Sequence, residues 1–459
     1  MFDALFTTTT EYKKLSHALS GKGACALFGL PASGRAQVYA ALCRQLDKPL
    51  CIVTPGEAEA TRFAADLNTL GIPAAVFPAR DYVLRPIEGT AREYEYRRLA
   101  VLGELVGGRL RAVAVPAEAL TQFTTPKEDF CANTRTLHAG DTLLRDDLLA
   151  ALFGAGYTRR AQVDGPGQFS VRGDIVDIFA PDQKMPVRME FWGDEIDTLH
   201  TFDLTTQRRE DAIDKFYLSP ARAVLFGKPA DAAEQLRAFL AKQRGKKKTA
   251  MADCMAADLD LLDGGAVPVN MDKYLAVRYP HPATVLDYFD DPILVAEEPA
   301  SIREADRATA YRRGEELKSL ILDGVLCAGL DNLYADPSYL WSKTGHYRTI
   351  CAENFARSMP DQPLKDIINA PAHTLPAWNG EVAGLLEDLK PLCDAGYTVT
   401  LLAGTDRAAA GLARDLRDKG ILVTTDAEAA PAAGLVQVLA GHLSAGCEFP
   451  FAKYADRKS

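Results

Sequence analysis

Residues 156–209 read GYTRRAQVDGPGQFSVRGDIVDIFAPDQKMPVRMEFWGDEIDTLHTFDLTTQRR, and this stretch decides the fold of the central part of the chain. Segments 168–179 and 186–191 within it alternate apolar and polar residues, a pattern typical of strands with one buried and one presented face. The alternation in the first segment changes phase at Val176, which predicts that its far end is buried on both sides. We therefore expect a β-sheet with one face packed on a core.

The presented faces of these two segments carry Arg172 and Arg188, and Trp192 follows the second segment. Arginines held on strands beside an aromatic residue are typical of protein-recognition surfaces. Taken alone, the pattern favours an ordinary solvated strand face, because charged residues are mostly exposed in globular proteins. A recognition surface is the alternative interpretation.

A glycine-containing loop near the N-terminus lies between a predicted strand and a predicted helix, where nucleotide-binding proteins bind phosphate. It reads GLPASGRA over residues 29–36, against the pattern G-x-x-x-x-G-K-[ST]. Gly29 and Gly34 fit the pattern, but Arg35 replaces the lysine that reaches the phosphates. Ala36 replaces the hydroxyl residue that ligates Mg²⁺. We predict a relic loop without ATP turnover, whose glycines and helix N-terminus could still attract an anion.

Two carboxylates, Glu297 and Glu298, follow a predicted buried strand and resemble those that hold Mg²⁺ in nucleotide-hydrolysing enzymes. Because the loop at residues 29–36 lacks its lysine and hydroxyl, we interpret this pair as residual. The sequence has no Ser/His/Asp, Cys/His or metal-ligand pattern, and its histidines are scattered. We therefore predict no catalytic residue, no metal site and no cofactor.

The composition is that of an ordinary globular protein. Its residues are 47% hydrophobic and 25% charged. The length of 459 residues suggests roughly three domains. No run of about 18 apolar residues and no signal-peptide pattern is present, so we expect no membrane segment. The nine cysteines are scattered without a CxxC pair, which favours reduced thiols and a cytoplasmic location. A net charge of −10 argues against nonspecific DNA binding by the surface as a whole.

Local basic clusters keep a DNA-binding alternative open. Arg92, Arg97 and Arg98 lie on a predicted helix, but they are interleaved with glutamates. The run KQRGKKK at residues 242–248 lies near a predicted helix end. Both patterns favour solvated surfaces over nucleic-acid contacts.

Strands alternate with helices at both ends of the chain, which predicts parallel sheets and the α/β class. We expect a multidomain chain. Residues 1–130 form the first part of a degenerate P-loop-like α/β domain, and residues 131–218 form an inserted α+β module. Residues 219–349 form the second part of the first domain, and residues 350–459 form a further small α/β domain.

Three runs within the central stretch carry a family resemblance: PGQFSVRGDIVDIF, PVRMEFWGDEID and FDLTTQR. They are similar to the module shared by the excision nuclease subunit UvrB and the bacterial transcription-repair coupling factor, Mfd. In both families this module docks onto UvrA. Near the C-terminus, GHLSAGCEFPFAK at residues 441–453 resembles the close of the third N-terminal domain of the coupling factor.

The altered loop decides between the two families, because UvrB carries an intact phosphate loop and the coupling factor a degenerate one. The chain thus resembles the N-terminal region of the coupling factor, with a degenerate helicase-like first domain. The resemblance implies UvrA-docking roles for Arg172, Arg188 and Trp192, although the family commonly has phenylalanine at the last position.

The resemblance also implies a division of labour. The chain would act as a monomeric, non-catalytic fragment that recruits UvrA to stalled RNA polymerase. Contacts with RNA polymerase and DNA, and ATP and Mg²⁺ in the motor, would belong to C-terminal domains that this chain lacks. The alternatives are a UvrB-like nucleotide-dependent repair subunit and a DNA-binding module.

Overall fold

The computed structural model describes residues 3–87, 92–357, 359, 362–378, 382–427, 429–430 and 432–458. In the first part of the chain, helices alternate with short strands, as the sequence predicts. The elements are α1 (Asp3–Thr7), α2 (Thr10–Ala18), β1 (Gly23–Phe28), α3 (Ala32–Leu46), β2 (Leu50–Thr54), α4 (Glu57–Thr69), β3 (Ala74–Val76), α5 (Glu93–Val106), β4 (Ala112–Pro116), α6 (Ala117–Leu120) and α7 (Lys127–Ala132).

The central part is dominated by strands, and these fall within the expected module at residues 131–218. The elements are β5 (Arg135–His138), α8 (Arg145–Gly154), β6 (Thr158–Arg159), β7 (Gln168–Arg172), β8 (Ile175–Phe179), β9 (Val187–Trp192), β10 (Glu195–Phe202), β11 (Arg209–Ala212) and β12 (Lys215–Leu218).

The remainder begins with helices and ends with a second alternation of helices and strands. The elements are α9 (Pro229–Ala241), α10 (Gly245–Asp263), α11 (Leu275–Arg278), β13 (Ile293–Glu297), α12 (Pro299–Leu322), α13 (Tyr339–Lys343), β14 (Arg348–Glu353), β15 (Leu364–Asn369), β16 (His373–Leu375), α14 (Val382–Asp394), β17 (Thr398–Ala403), α15 (Asp406–Asp418), β18 (Val423–Thr424), β19 (Val436–Ala440), β20 (Gly446–Phe449) and β21 (Tyr454–Lys458). Short 3-10 helices occupy Met271–Tyr274, Val285–Tyr288 and Pro450–Ala452.

The first domain is built on a parallel sheet with the strand order β15-β1-β14-β13-β2-β4-β3. Apolar cores cover both faces of this sheet, which explains why its central strands read as continuous apolar runs. The predicted α/β class with a parallel sheet is confirmed.

The extent of this sheet differs from the expected boundary at residue 350. The strand that contains Ile350 is β14, which pairs with β1 and β13 at the centre of the first sheet. The following strand, β15, pairs with the other side of β1, so the sheet continues to Asn369. A short buried strand carries no local signal of which sheet it joins, because its apolar residues would suit either core.

The inserted module contains a sheet with the order β11-β10-β9-β8-β7-β6 and a separate pair of strands, β12 and β5. One face of the larger sheet packs on α8 and on the β5–β12 pair, through a core that includes Phe169, Met189 and Leu148. The opposite face, here called the outer face, carries the polar residues of β7, β8 and β9.

The segment 168–179 is a hairpin of two strands, and its far end is buried on both faces, as predicted, from Val176 to Phe179. Arg172 pairs with Ile175 across a two-residue turn that begins at Gly173, whose φ is +60°. Glycine adopts this conformation without a steric penalty. Because the chain reverses there, Val176 lies opposite Val171 on the core face, and the change of phase in the sequence marks the turn.

The last part of the chain forms a sheet with the order β16-β20-β21-β17-β19-β18. It packs against the first domain through Phe449 and Tyr454, which join the same core as Phe6 and α3. Polar contacts cross the same interface, where Ser444 Oγ donates to the carboxylate of Asp66 at 2.6 Å. The first domain and this sheet therefore share one continuous core.

Among the residues that the structure describes, no helix is both long enough and apolar enough to span a bilayer.

Asp456 on β21 is a buried carboxyl in the interface between the last sheet and α3. Gln37 Nε2 donates to its Oδ2 at 2.7 Å. Burial raises the pKa of Asp456 to about 7. The folded chain therefore keeps this proton at pH values where an unfolded carboxyl, with an ordinary pKa of 3.8, has lost it.

We expect this group to make the chain less stable as the pH rises from about 4 to about 7. The protonated form stabilises the fold fully below the unfolded pKa, and this contribution falls by about 1.4 kcal/mol per pH unit up to the folded pKa. The side chain in Asp456→Asn stays neutral at every pH. The unfolding midpoint of this variant, relative to that of the wild type, should therefore rise between pH 5 and pH 8. A parallel pH dependence for the two chains would contradict the assignment.

Candidate protein-docking site

The outer face of the inserted sheet brings together residues from three neighbouring strands. The register places Ser170 of β7 opposite Asp177 of β8, and Asp177 opposite Arg188 of β9. Arg172 lies two residues after Ser170 on the same face of β7. The side chains of two sequence-predicted residues, Arg172 and Arg188, therefore converge on the carboxylate between them.

Asp177 is fully buried and accepts hydrogen bonds from both arginines. Arg188 binds it in a bidentate manner, with Nε at 2.7 Å from Oδ1 and Nη2 at 3.0 Å from Oδ2. Arg172 Nη2 donates to Oδ2 at 2.6 Å, and Ser170 Oγ donates to the same oxygen at 3.4 Å. Bidentate, charge-assisted hydrogen bonds of this kind are among the strongest in proteins.

Arg188 is mostly enclosed by the protein itself, with 11% of its side chain exposed. Its third nitrogen, Nη1, donates to the carbonyl of Gln207 at 3.1 Å, and its guanidinium lies 4.7 Å from the centre of the Phe202 ring. Gln207 belongs to the FDLTTQR run, in the loop between β10 and β11. Arg188 therefore ties this loop to the sheet and has little surface left for a partner.

Arg172 and Trp192 are the accessible members of the predicted set, with 48% of the Arg172 side chain and 83% of Trp192 exposed. Trp192 lies on the same face as Arg188, four residues along β9 and about 13 Å away at the usual strand rise. It pairs with Glu195 across the turn that joins β9 to β10. The outer face thus presents a charged group and an indole ring at separate positions.

Sequence reasoning missed several residues that complete this face. Asp177 lies in the apolar run IVDIF, and a lone carboxylate in such a run is the signal that could have singled it out. Glu190 lies between Arg188 and Trp192, where it accepts from Thr198 Oγ1 at 3.3 Å and pairs with Arg209 of β11. Its charge is therefore balanced within the sheet.

The segment at residues 29–36 is held in place by Arg35, which is 4% exposed. Its Nη1 donates to the carbonyl of Leu30 at 3.2 Å, and its Nη2 lies 2.9 Å from carboxylate oxygens of both Glu297 and Glu298. Tyr39 completes the arrangement by donating to Glu297 Oε1 at 2.6 Å. The two features that the sequence predicted separately, the altered loop and the carboxylate pair, therefore bind each other.

Burial by itself would lower the pKa of Arg35, but the neighbouring Glu297, Tyr39 and Glu298 outweigh it and raise that pKa. The guanidinium stays charged and paired inside the protein. Arg35 faces two carboxylates, so the local charge is negative when both are ionised. An anion at this end of α3 is disfavoured by that charge.

Two of the three α5-region arginines proposed for the DNA-binding alternative are engaged in the fold, whereas Arg97 is 44% exposed. Arg98 is 2% exposed and donates from Nη1 to the carbonyl of Pro78 at 2.9 Å and to Gln122 Oε1 at 2.8 Å. Arg92 Nη1 donates to Glu95 Oε2 at 2.7 Å. Arg98 cannot reach a phosphate group without leaving the core.

Removing the Arg35 guanidinium should destabilise the chain strongly. Arg35→Ala would leave the buried carboxylate of Glu297 without its cation, which costs about 3–5 kcal/mol. The free energy of unfolding in urea measures this loss. Glu297→Gln in the same chain should recover part of it. The control Arg237→Ala breaks an exposed pair with Asp263 and should cost about 0–1 kcal/mol.

The two arginines that share Asp177 should differ in their effect on stability. Arg188→Ala would remove the bidentate partner of a buried carboxylate and the anchor of the loop, at about 3–5 kcal/mol. Arg172→Ala leaves the carboxylate paired with Arg188 and should cost about 1 kcal/mol or less, since this side chain is half exposed. Equal losses in urea unfolding would show that the two share the structural role.

Comparison with known proteins supports the sequence interpretation. Residues 136–223 match the family model of the UvrB interaction domain. The chain is 25% identical over 441 residues to the transcription-repair-coupling factor of Bacillus subtilis (strain 168). This alignment covers 94% of this chain and 37% of the relative. The chain is 24% identical over 436 residues to that of Staphylococcus haemolyticus (strain JCSC1435), with 92% and 37% covered. The chain spans about 37% of the length of these curated relatives. Its resemblance to the N-terminal region of the transcription-repair coupling factor, with a UvrB-like interaction module, is confirmed.

Proposed function

We propose that this chain recruits UvrA to stalled RNA polymerase in nucleotide excision repair. The observation that carries the proposal is the outer face of the inserted module. Residues 136–223, which include this face, match the family model of the UvrB interaction domain. There Arg172 and Trp192 stand exposed on rigid strands. The similarity to transcription-repair-coupling factors supplies the link between transcription and repair.

The chemistry of this face suits a protein partner. A guanidinium carries five N–H donors, and Arg172 uses Nη2 on Asp177, so other donors remain for a carboxylate of UvrA. Trp192 adds a large apolar surface of the kind that is enriched at interfaces. Because both side chains stand on paired strands, little backbone order must be gained on binding.

A recruiting role without ATP turnover agrees with the first domain. Arg35 pairs with the carboxylates that would otherwise hold Mg²⁺, and Ala36 has no hydroxyl to ligate a metal. These features weigh against a UvrB-like nucleotide-dependent subunit. The burial of Arg98 weighs against DNA binding through the α5 arginines.

We place contacts with RNA polymerase and DNA outside the region that this chain spans, since the curated relatives are much longer. Within this proposal the chain acts as a cytoplasmic monomer and uses no cofactor of its own.

The direct test removes the two exposed groups together. In the chain with Arg172→Ala and Trp192→Ala, we expect the affinity for UvrA, measured by titration calorimetry, to fall at least about thirtyfold. The loss of one hot spot worth about 2 kcal/mol gives about this factor, and the loss of two would exceed it. Arg188→Glu is a poorer probe, because it would place a second carboxylate against the buried Asp177 and disturb the fold.

Matched controls use side chains of similar exposure elsewhere. Arg85, whose side chain is 45% exposed and paired with Asp323, matches Arg172. Tyr311, which is 74% exposed, matches Trp192. The chain with Arg85→Ala and Tyr311→Ala should bind UvrA as the wild type does. Unchanged affinity in the Arg172/Trp192 variant would refute the proposed docking face.

A further inference from the structure

The charges of the Asp177 cluster, which is formed by Arg172, Asp177 and Arg188, do not balance. Two guanidiniums, Arg172 and Arg188, share the carboxylate of Asp177, while Glu190 is paired with Arg209. One positive charge is left over in the Asp177 cluster. It resides where the cluster meets solvent, at Arg172, because Arg188 is enclosed.

Arg188 has no freedom to serve a partner directly. Its Nε and Nη2 bind Asp177, its Nη1 binds the Gln207 carbonyl, and one of its faces covers the Phe202 ring. Turning it outward would leave a fully buried carboxylate without its bidentate partner, which proteins avoid. Arg188 is therefore a support beneath the face.

Arg172 is held differently. A single nitrogen, Nη2, rests on Asp177 Oδ2 at 2.6 Å, and about half of the side chain is exposed. The planar guanidinium carries donors on two edges. With one edge fixed inward by the buried carboxylate, the other edge points to solvent in a defined orientation.

We infer that Asp177 is a positioning residue for UvrA binding: its buried carboxylate holds Arg188 as a support and orients Arg172 toward a carboxylate of UvrA. This inference rests on the proposed function and deepens it, since it assigns the direct contact to Arg172 and gives the partner an acidic group. Asp177 itself does not touch UvrA.

The first experiment measures whether Asp177 acts through Arg172. Asp177→Asn keeps the size of the side chain and removes its charge. We expect it to weaken UvrA binding at least about tenfold in the wild-type chain, and less than about twofold in a chain that already carries Arg172→Ala. Equal losses in both backgrounds would mean that Asp177 supports the fold only, and would overturn the inference.

A second variant tests the same point without touching the buried carboxylate. Arg172→Lys keeps the charge, but a single ammonium group cannot rest on Asp177 and present a fixed edge to a partner. We expect it to bind UvrA within about threefold of Arg172→Ala. Binding close to that of the wild type would overturn the inference, and this variant decides alone if Asp177→Asn does not fold.

The salt dependence of binding tests the acidic partner group. The affinity of the wild-type chain for UvrA should fall more steeply than that of Arg172→Ala between about 50 mM and about 300 mM NaCl, because one exposed ion pair is screened. If the affinities of the two chains had the same salt dependence, the inference that Arg172 contacts an acidic group of UvrA would be refuted. A wild-type chain that fails to bind UvrA would refute the proposed function itself, whereas unaltered binding by Asp177→Asn would refute only the positioning role.

Discussion

A carboxylate removed from water must find counter-charges, and on the outer face of the inserted sheet Asp177 imposes this constraint on its neighbours. Its donors come from β7 and β9, on either side of its own strand. The contacts that neutralise the charge therefore also fix the register of three strands, since a slip of one residue would turn Asp177 into the apolar core. The face is ordered before any partner arrives, and the loop between β10 and β11 is ordered with it.

In the first domain, too, buried charges are paired with opposite charges, but there the excess charge is negative. There a single guanidinium, Arg35, faces two carboxylates, and the cluster closes on itself at the start of α3. In the inserted module a single carboxylate faces two guanidiniums, and the cluster keeps a cation at the surface. The excess charge is therefore negative at the start of α3 and positive in the Asp177 cluster.

The sequence was sufficient for the class of fold and for the sheet that presents Arg172 and Arg188, because both depend on local patterns. The docking role of this face stays a prediction. Apolar runs predicted the parallel sheet, and the alternation around Arg188 predicted a sheet with a presented face. Contacts between residues that are far apart in the sequence could not be predicted from local patterns. Nothing near Ile350 tells which sheet it joins, and nothing near Arg188 tells that the loop carrying Gln207 covers it. Asp177 was overlooked because its partners are donors from other strands, brought together only by the register.

Gly29 and Gly34 have structural roles that involve no nucleotide. A side chain at Gly34 would meet Cys447 Sγ at 3.0 Å and the Phe449 ring at 3.2 Å, and one at Gly29 would meet the carbonyl of Ala370 at 3.1 Å. Gly29 also has a φ of +88°, which favours glycine. Close packing of α3 on the last sheet thus favours glycine at position 34. At position 29, the close approach of the chain after β15, within the first sheet, and the positive φ favour glycine. A glycine pattern that resembles a phosphate-binding loop is, in this chain, also the pattern that close packing favours at the end of β1 and the start of α3.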